Sequence, residues 1–231
     1  MCGIIGYCGH QAAAPLVFEG LKRVEYRGYD SAGIAALVDG QLLVKKDIGK
    51  LDEIEAKHSL SSVPGNIAIG HTRWATHGGV TAANTHPHCD CSNTVAVVHN
   101  GIIDNYQELR QQLAGNGHHL ASETDTEVIP HLIEDELKRG CPLEAAVLAI
   151  ASKLEGSYAF LAVSSHDPGK IVGTRKGSPL AIGIGDHGYF AASDALAFSG
   201  QADKLMSLAD TEVVALKADG IQFFEIGRAH V

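Results

Sequence analysis

The sequence lacks the features that mark membrane-spanning, exported and nucleic-acid-binding proteins. No apolar run approaches the roughly 18–20 residues that cross a bilayer, and the opening MCGIIGYCGH has neither the basic end nor the long apolar stretch of a signal peptide. Positive charge is scarce, because 18 Lys and Arg residues stand against 27 Asp and Glu residues, for a formal net charge of −9. Surfaces that bind nucleic acid or anionic membranes need clustered cations. We therefore expect a cytoplasmic protein that binds a small molecule and neither nucleic acid nor membrane.

Cysteine is also sparse, and its number argues against a structural role. Five cysteines form an odd set in a chain without an export signal, so free thiols are expected rather than a disulfide framework. Cys2 is the most informative of them, because removal of Met1 would place a thiol and an α-amine on one residue. An α-amine, with a pKa near ~7.7–8.0, can act as the base for such a nucleophile. Taken alone, Cys2 also fits a small apolar residue at the start of a strand.

The pattern of apolar residues predicts an α+β protein. Asp39-Gly40 and Asp219-Gly220 lie between β-like runs and predict hairpins, since Asp-Gly readily takes the positive φ angles of a tight turn. Apolar residues at helical spacing predict helices over 12–23, 106–114, 126–139 and 143–154. Helices grouped between runs of antiparallel strands favour layered sheets over a parallel βαβ sheet. Short apolar and β-branched runs predict the strands 4–7, 33–38, 41–48, 66–71, 94–99, 158–163, 171–174, 180–184, 189–192, 212–216 and 221–224.

Polar clusters beside these elements carry the functional signal. They read YRGYDSAG (26–33), GHTRWATHGG (70–79), NTHPH (84–88), VHNGIIDNY (98–106) and SETDTE (122–127). Together with the initial MCGIIGY, they resemble the class II glutamine amidotransferases, which are N-terminal nucleophile hydrolases. Within that class they are most similar to the glutaminase domains of the glutamine–fructose-6-phosphate aminotransferase (glucosamine-6-phosphate synthase) family. The resemblance implies a four-layer αββα sandwich of antiparallel sheets that hydrolyses L-glutamine to glutamate and ammonia, without a cofactor.

The resemblance also implies roles that suit the chemistry of glutamine. Cys2 would be the nucleophile, and Asn100 with the Gly101 N–H would form the oxyanion hole. Arg73 would bind the α-carboxylate of glutamine, and Asp125 would bind its α-ammonium group. The residues alone leave other interpretations open. These are a surface salt bridge for Arg73, a helix N-cap for Asp125 and a strand-to-helix turn for Asn100-Gly101.

A loop near the substrate is implied as well. Trp74, Thr76 and His77 lie in a segment that two glycines follow, and we expect this segment to close over bound glutamine as a lid. The rigid turn of a packed hairpin is the alternative. Arg27 is expected to lie near the nucleophile as a positioning residue.

Two other motifs do not predict sites. HPHCDC contains His86, His88, Cys89 and Cys91, but it lacks the separated second pair of ligands of a structural zinc site, so no metal is expected. GIGDHG (183–188) has the spacing of a dinucleotide-binding GxGxxG motif, yet no predicted helix follows it. We predict a hairpin turn there.

The predicted glutaminase domain covers residues 1–225. Residues 226–231 are predicted to be a non-native tail, because they add no periodicity and match the translated start of a common sequencing adapter. The full enzyme is expected to continue into a sugar-phosphate isomerase domain that binds fructose 6-phosphate, is absent from this sequence, and could form a homodimer.

Two alternative functions remain open. The first is the glutaminase domain of an amidophosphoribosyltransferase or an asparagine synthetase. The second is a non-catalytic, glutamine-binding regulatory domain, which would need no nucleophile at Cys2.

Overall fold

The computed structural model describes residues 2–75, 78–210 and 212–225. The helices are α1 (Ala13–Val24), α2 (Leu51–His58), α3 (Tyr106–Gly115), α4 (Val128–Lys138) and α5 (Leu143–Ala151). The strands are β1 (Gly3–Gly9), β2 (Ser31–Val38), β3 (Gln41–Ile48), β4 (Ile67–Arg73), β5 (His88–Cys89), β6 (Val95–Ile103), β7 (Gly156–Ser164), β8 (Lys170–Lys176), β9 (Ala181–Gly185), β10 (Gly188–Ala192), β11 (Lys204–Ser207), β12 (Glu212–Lys217) and β13 (Gly220–Glu225).

The strands described here form two antiparallel sheets. The first has seven strands in the order β11-β9-β10-β1-β4-β2-β3, and the second has six in the order β13-β12-β8-β7-β6-β5. β1 therefore lies in the middle of the first sheet, where it pairs with β10 on one side and β4 on the other. β6, which carries the Asn100-Gly101 pair, lies in the second sheet beside β7.

Alternation along the strands produces a stack of four layers. In β1, Ile5 packs on the α1 side of the first sheet, whereas its neighbour Ile4 packs between the two sheets. In β7, Leu161 also packs between the sheets, whereas Phe160 faces α3, α4 and α5. Successive strand residues point to opposite faces, so sheets covered on both sides bury both sets of side chains. The predicted αββα order is confirmed.

The predicted hairpins are also confirmed. Asp39 and Gly40 join β2 to β3 with φ angles of 50° and 76°, as an Asp-Gly turn requires. The GIGDHG segment connects β9 to β10, with Gly185 paired to Gly188. It is a hairpin and not the start of a nucleotide-binding helix.

Other details of the prediction were wrong. β6 does not end at His99 but continues to Ile103, so Asn100 and Gly101 lie within a strand and not in a strand-to-helix turn. Helix α4 begins at Val128 after Glu127, which excludes Asp125 as its N-cap. The prediction missed α2 and β11 because α2 buries only two residues and β11 is exposed along its length. No helix in the described ranges has both the length and the apolar character to span a membrane.

Leu161 tests the contribution of the contact between the sheets. Leu161→Ala should lower the free energy of unfolding by about 2–5 kcal/mol. Leu161 is fully buried, so its truncation leaves a cavity between the sheets. Leu205→Ala in β11 is the matched control and should change it by less than about 0.5 kcal/mol, because Leu205 is 60% exposed. Denaturant unfolding measures both, and equal losses would contradict this layer assignment.

Candidate active site

Cys2 lies where the two sheets meet. It precedes β1, and because Gly3 pairs with Thr72 of β4, Cys2 lies opposite the end of that strand. The Trp74 N–H donates a hydrogen bond to Cys2 Sγ at 3.3 Å. The Cys2 carbonyl oxygen accepts one from Asn100 Nδ2 at 2.8 Å. The Cys2 thiol is thus bound to the residue that follows β4 of the first sheet, while the Cys2 backbone is bound to β6 of the second sheet.

The thiol of Cys2 needs help to ionise. Burial raises its pKa above the ordinary value, and the hydrogen bond from the Trp74 N–H opposes that increase only in part. Because the thiolate is the nucleophilic form, a base must take the proton when the thiol reacts.

The end of β6 can be built only with glycine at position 101. Gly101 has φ +125°, and a Cβ at this position would lie 2.0 Å from the Ser157 carbonyl oxygen and 2.8 Å from Tyr158 Cα. Any side chain would therefore push β6 away from β7. Gly101 lines the same small cavity as Cys2, and Asn100 stands beside it in the strand.

A positively charged and a negatively charged side chain, Arg73 and Asp125, line the same cavity. Arg73, at the end of β4, is 3% exposed, which excludes the surface salt bridge that its residue type allowed. Its guanidinium donates to the Gly79 carbonyl oxygen at 3.1 Å and to the Gly78 carbonyl oxygen at 3.4 Å. Asp125 is 5% exposed, and its carboxylate accepts from the Ile103 N–H at 2.8 Å. A thiol, a guanidinium and a carboxylate thus line one cavity.

Arg27 contacts the backbone of Cys2. Its Nε donates to the Cys2 carbonyl oxygen at 3.1 Å, and its Nη1 pairs with Asp194 at 3.2 Å. The Leu196 N–H, together with the Tyr26 hydroxyl and the Arg27 guanidinium, holds the pKa of Asp194 below its usual value despite partial burial. Arg27 is therefore a fixed group and not a free cation facing the ligand.

The predicted lid lies partly outside the described residues. Trp74 is half-exposed, and its ring meets Tyr29 edge-on with centroids 5.5 Å apart. The Ala75 N–H donates to the Asp30 carboxylate, which fixes the start of the segment. Thr76 and His77 lie outside the residues that the structure describes.

Four buried histidines, two of which line the cavity, form a layer that sequence reasoning missed. His71 and His86 stack with centroids 3.9 Å apart, and His71 Nε2 lies 3.0 Å from the His99 carbonyl oxygen. The histidine signal was present in the motifs HTRW, HPH and VHNG, but no spacing rule shows that these side chains meet. The fourth member of the layer is His88.

These histidines hold the segment that carries Asp125. Thr126 Oγ1 lies 2.9 Å from His86 Nε2 and 2.8 Å from His99 Nδ1, and Thr124 Oγ1 lies 3.1 Å from His88 Nε2. The two threonines flank Asp125 in the sequence, so the histidine layer fixes its position.

The histidine layer is uncharged at neutral pH. Burial lowers the pKa of all four rings below the ordinary value, and that of His71 to about 3. A positively charged imidazolium beside Asp125 would pair with its carboxylate. Because the rings are neutral, the carboxylate can instead pair with a positively charged ligand.

This burial predicts acid sensitivity. Unfolded histidines take up protons below about pH 6.5, whereas the folded rings resist protonation, so stability is full above that pH and falls as pH decreases. The free energy of unfolding should therefore fall as pH decreases below about 6, and a ring that stays neutral in the folded state contributes up to about 1.4 kcal/mol per pH unit. His71→Gln should flatten this slope by about 1.4 kcal/mol per pH unit, and His10→Gln at an exposed site should not. Denaturant unfolding at several pH values measures the slope, and identical slopes for the two variants would contradict a neutral layer.

The chain is similar in sequence to known aminotransferases. The chain is 51% identical over 220 residues to the glutamine–fructose-6-phosphate aminotransferase (isomerizing) of Methanothermobacter thermautotrophicus, covering 95% of this chain and 37% of the relative. It is 48% identical over 223 residues to the Streptomyces coelicolor enzyme of the same name, covering 96% and 36%. The chain therefore spans about 37% of the length of the first of these curated relatives.

A solved structure shares the fold. It is the glutamine phosphoribosylpyrophosphate amidotransferase of B. subtilis, with a TM-score of 0.84 and 31% identity over 99% of this chain and 50% of that one. Residues 71–200 match the family of the glutamine amidotransferase domain. That range includes Arg73, Asn100, Gly101 and Asp125, and it covers more than half of the sequence. The chain belongs to the glutamine amidotransferase domain family.

Proposed function

We propose that this chain hydrolyses L-glutamine to glutamate and ammonia with Cys2 as the nucleophile. The observation that carries the proposal is the convergence of the Cys2 thiol, the Arg73 guanidinium and the Asp125 carboxylate in one cavity. Free glutamine has a carboxylate and an ammonium group at one end and an amide at the other. The cavity offers a matching group for each of them.

The charged end of glutamine would be bound first. Arg73 can hold the α-carboxylate through its planar fork, and Asp125 can accept hydrogen bonds from the α-ammonium group. Because both side chains are almost fully buried, bulk water would weaken these charge pairs little. With that end fixed, the side-chain amide would extend toward Cys2 Sγ.

The chemical step would use the terminal residue twice. After removal of Met1, the Cys2 α-amine takes the thiol proton, and Sγ bonds to the δ-carbon of glutamine. The oxyanion that forms would be stabilised by the Gly101 N–H and by the second N–H of the Asn100 amide, whose first N–H donates to the Cys2 carbonyl oxygen. The α-ammonium returns its proton to the leaving ammonia as the C–N bond breaks. Water then hydrolyses the thioester to glutamate and regenerates the thiol.

The surrounding groups would orient the reactants and close the site. Arg27 would act as a positioning residue, because it binds the Cys2 carbonyl oxygen that Asn100 also binds. Trp74, Thr76 and His77 would form the lid. The Tyr29 ring contacts the Trp74 ring edge-on at the start of this lid.

The ammonia acceptor is inferred from the relatives. The identity of 51% to a glutamine–fructose-6-phosphate aminotransferase exceeds the 31% to the phosphoribosylpyrophosphate amidotransferase. We therefore propose that a sugar-phosphate isomerase domain follows in the full enzyme and uses the ammonia to convert fructose 6-phosphate to glucosamine 6-phosphate. The domain bounds, a dimer through that domain and the cytoplasmic location stay predictions from the sequence.

Cys2 gives the first test of this function. Cys2→Ala should abolish ammonia release from glutamine, because Cys2 is the one cysteine among the described residues that line the cavity, while the far-ultraviolet circular dichroism stays unchanged. Cys141→Ala, a change of another partly buried free cysteine, should keep full turnover. Mass spectrometry of the active protein should show that Met1 has been removed. Turnover by Cys2→Ala, or by protein that keeps Met1, would overturn the mechanism.

Asp125 tests recognition of the α-ammonium group. Asp125→Asn keeps an oxygen that can accept from the Ile103 N–H but removes the charge. Loss of a charged hydrogen bond of about 1.5–3 kcal/mol should lower kcat/KM for glutamine roughly 10- to 150-fold. Glutaramate, which is glutamine without its α-amine, serves as the control substrate. The wild type and Asp125→Asn should hydrolyse it at similar rates, and an equal loss on both substrates would contradict this role for Asp125.

A further inference from the structure

A second cluster of reactive side chains lies outside the candidate active site. Cys91 belongs to the turn between β5 and β6, His118 follows α3, and His131 and Glu134 lie on α4. One ligand atom from each of the four residues lies within 4.8 Å of all the others. His131 and Glu134 are buried, whereas Cys91 is exposed, so an ion could reach the cluster from solvent.

The spacing of these atoms is that of a tetrahedral metal site. Cys91 Sγ lies 3.6 Å from His118 Nδ1 and 3.5 Å from His131 Nδ1. The two histidine nitrogens are 3.2 Å apart. Glu134 Oε2 lies 3.2 Å from His118 Nδ1 and 3.4 Å from His131 Nδ1. In a tetrahedron with ordinary zinc bond lengths, sulfur and nitrogen ligands are about 3.5 Å apart, and nitrogen and oxygen ligands about 3.3 Å apart.

Neighbouring groups orient two of the four ligands. His118 Nε2 lies 2.9 Å from Asp135 Oδ1, so Nε2 donates its proton to the carboxylate and Nδ1 keeps a lone pair for a metal. Lys138 binds Glu134 Oε1 at 2.8 Å, which leaves Oε2 to face the cluster. Partners of this kind are typical of metal ligands.

A cation also resolves the electrostatics of the cluster. His118 Nδ1 and the Glu134 carboxylate oxygen lie 3.2 Å apart, and both are acceptors whenever Nδ1 carries no proton. A divalent ion at the centre would bind both of them and the Cys91 thiolate. One thiolate and one carboxylate would balance its charge.

We propose that Cys91, His118, His131 and Glu134 form a structural site for Zn²⁺. Four protein ligands close the tetrahedron, as in structural rather than catalytic zinc sites, and one thiolate with two imidazoles suits Zn²⁺ better than Ca²⁺ or Mg²⁺. The ion would join the β5–β6 turn and the α3–α4 connection to α4. Helix α4 begins three residues after Asp125, so the same ion would brace the end of the segment that carries this residue.

The proposal departs from the prediction that the chain has no metal site. The HPHCDC motif attracted attention for its density of ligands, yet only Cys91 of that motif belongs to the cluster. Its histidine partners lie 27 and 40 residues further along the chain. Short-range spacing rules therefore miss the site.

Metal analysis of the whole chain tests the proposal. After exposure to ZnSO₄ and removal of loosely bound metal, the protein should retain about one zinc per chain, and Cys91→Ser should retain little. Cys89→Ser is the matched control two residues away and should retain zinc like the wild type. Asp135→Asn should weaken zinc binding about 10- to 100-fold in competition with a chelating dye. Substitution by Co²⁺ should produce a thiolate-to-cobalt absorption band that Cys91→Ser removes.

Cys2→Ala separates this site from the proposed nucleophile. The variant should keep its zinc while losing glutaminase activity, whereas Cys91→Ser should lose zinc but retain the nucleophile. Retention of zinc by Cys91→Ser, its loss from Cys89→Ser or Cys2→Ala, or a wild-type chain that binds no zinc would each overturn the proposal. Because Cys91 is exposed, Cys91→Ser should fold, and its far-ultraviolet circular dichroism checks this.

Discussion

The hydrogen bond from the Asn100 side chain to the Cys2 carbonyl oxygen is the contact on which the site depends. Cys2 directly precedes β1 of the first sheet and Asn100 lies in β6 of the second, so this 2.8 Å bond links the two sheets. Apolar side chains such as Ile4 and Leu161 pack between the sheets and supply the force that stacks them. The polar contact joins one defined position of each sheet, and burial of the apolar surface between the sheets stabilises their packing.

The buried histidines solve a second problem, which is electrostatic. If the cavity binds glutamine as proposed, the charges of Arg73 and Asp125 must not be neutralised by nearby groups. Burial keeps His99 and His86 neutral, so their contacts to Thr126 position Asp125 without offering it a competing positive charge. The layer thereby supports the segment that carries Asp125 without adding a positive charge beside it. The same burial lowers the stability of the protein in acid.

The sequence predicted the parts of the molecule that depend on short-range pattern. Asp39-Gly40 specifies its own turn, and alternation of apolar residues reveals most strands. The course of β6 through Asn100 and Gly101 was not predictable, because partners in β7, more than 50 residues away, extend the strand. The histidine layer and the Cys91 cluster were missed for the same reason, since their members come from separate elements. Arg73 and Asp125 were identified by motif resemblance, while their burial followed only from the fold.

The pairing of β1 with β10 has a consequence for biosynthesis. The Ile4 N–H donates to the Ser193 hydroxyl, a contact across 189 positions, and Ile5 pairs with Ala192. At a translation rate of ~5–20 residues per second, β1 waits roughly 10–40 s for this partner to be made. During that time the strand next to Cys2 is open on one side, and enzymes that process a nascent chain can reach it. The segment that holds the thiol thus leaves the ribosome long before the strand that completes its sheet on that side.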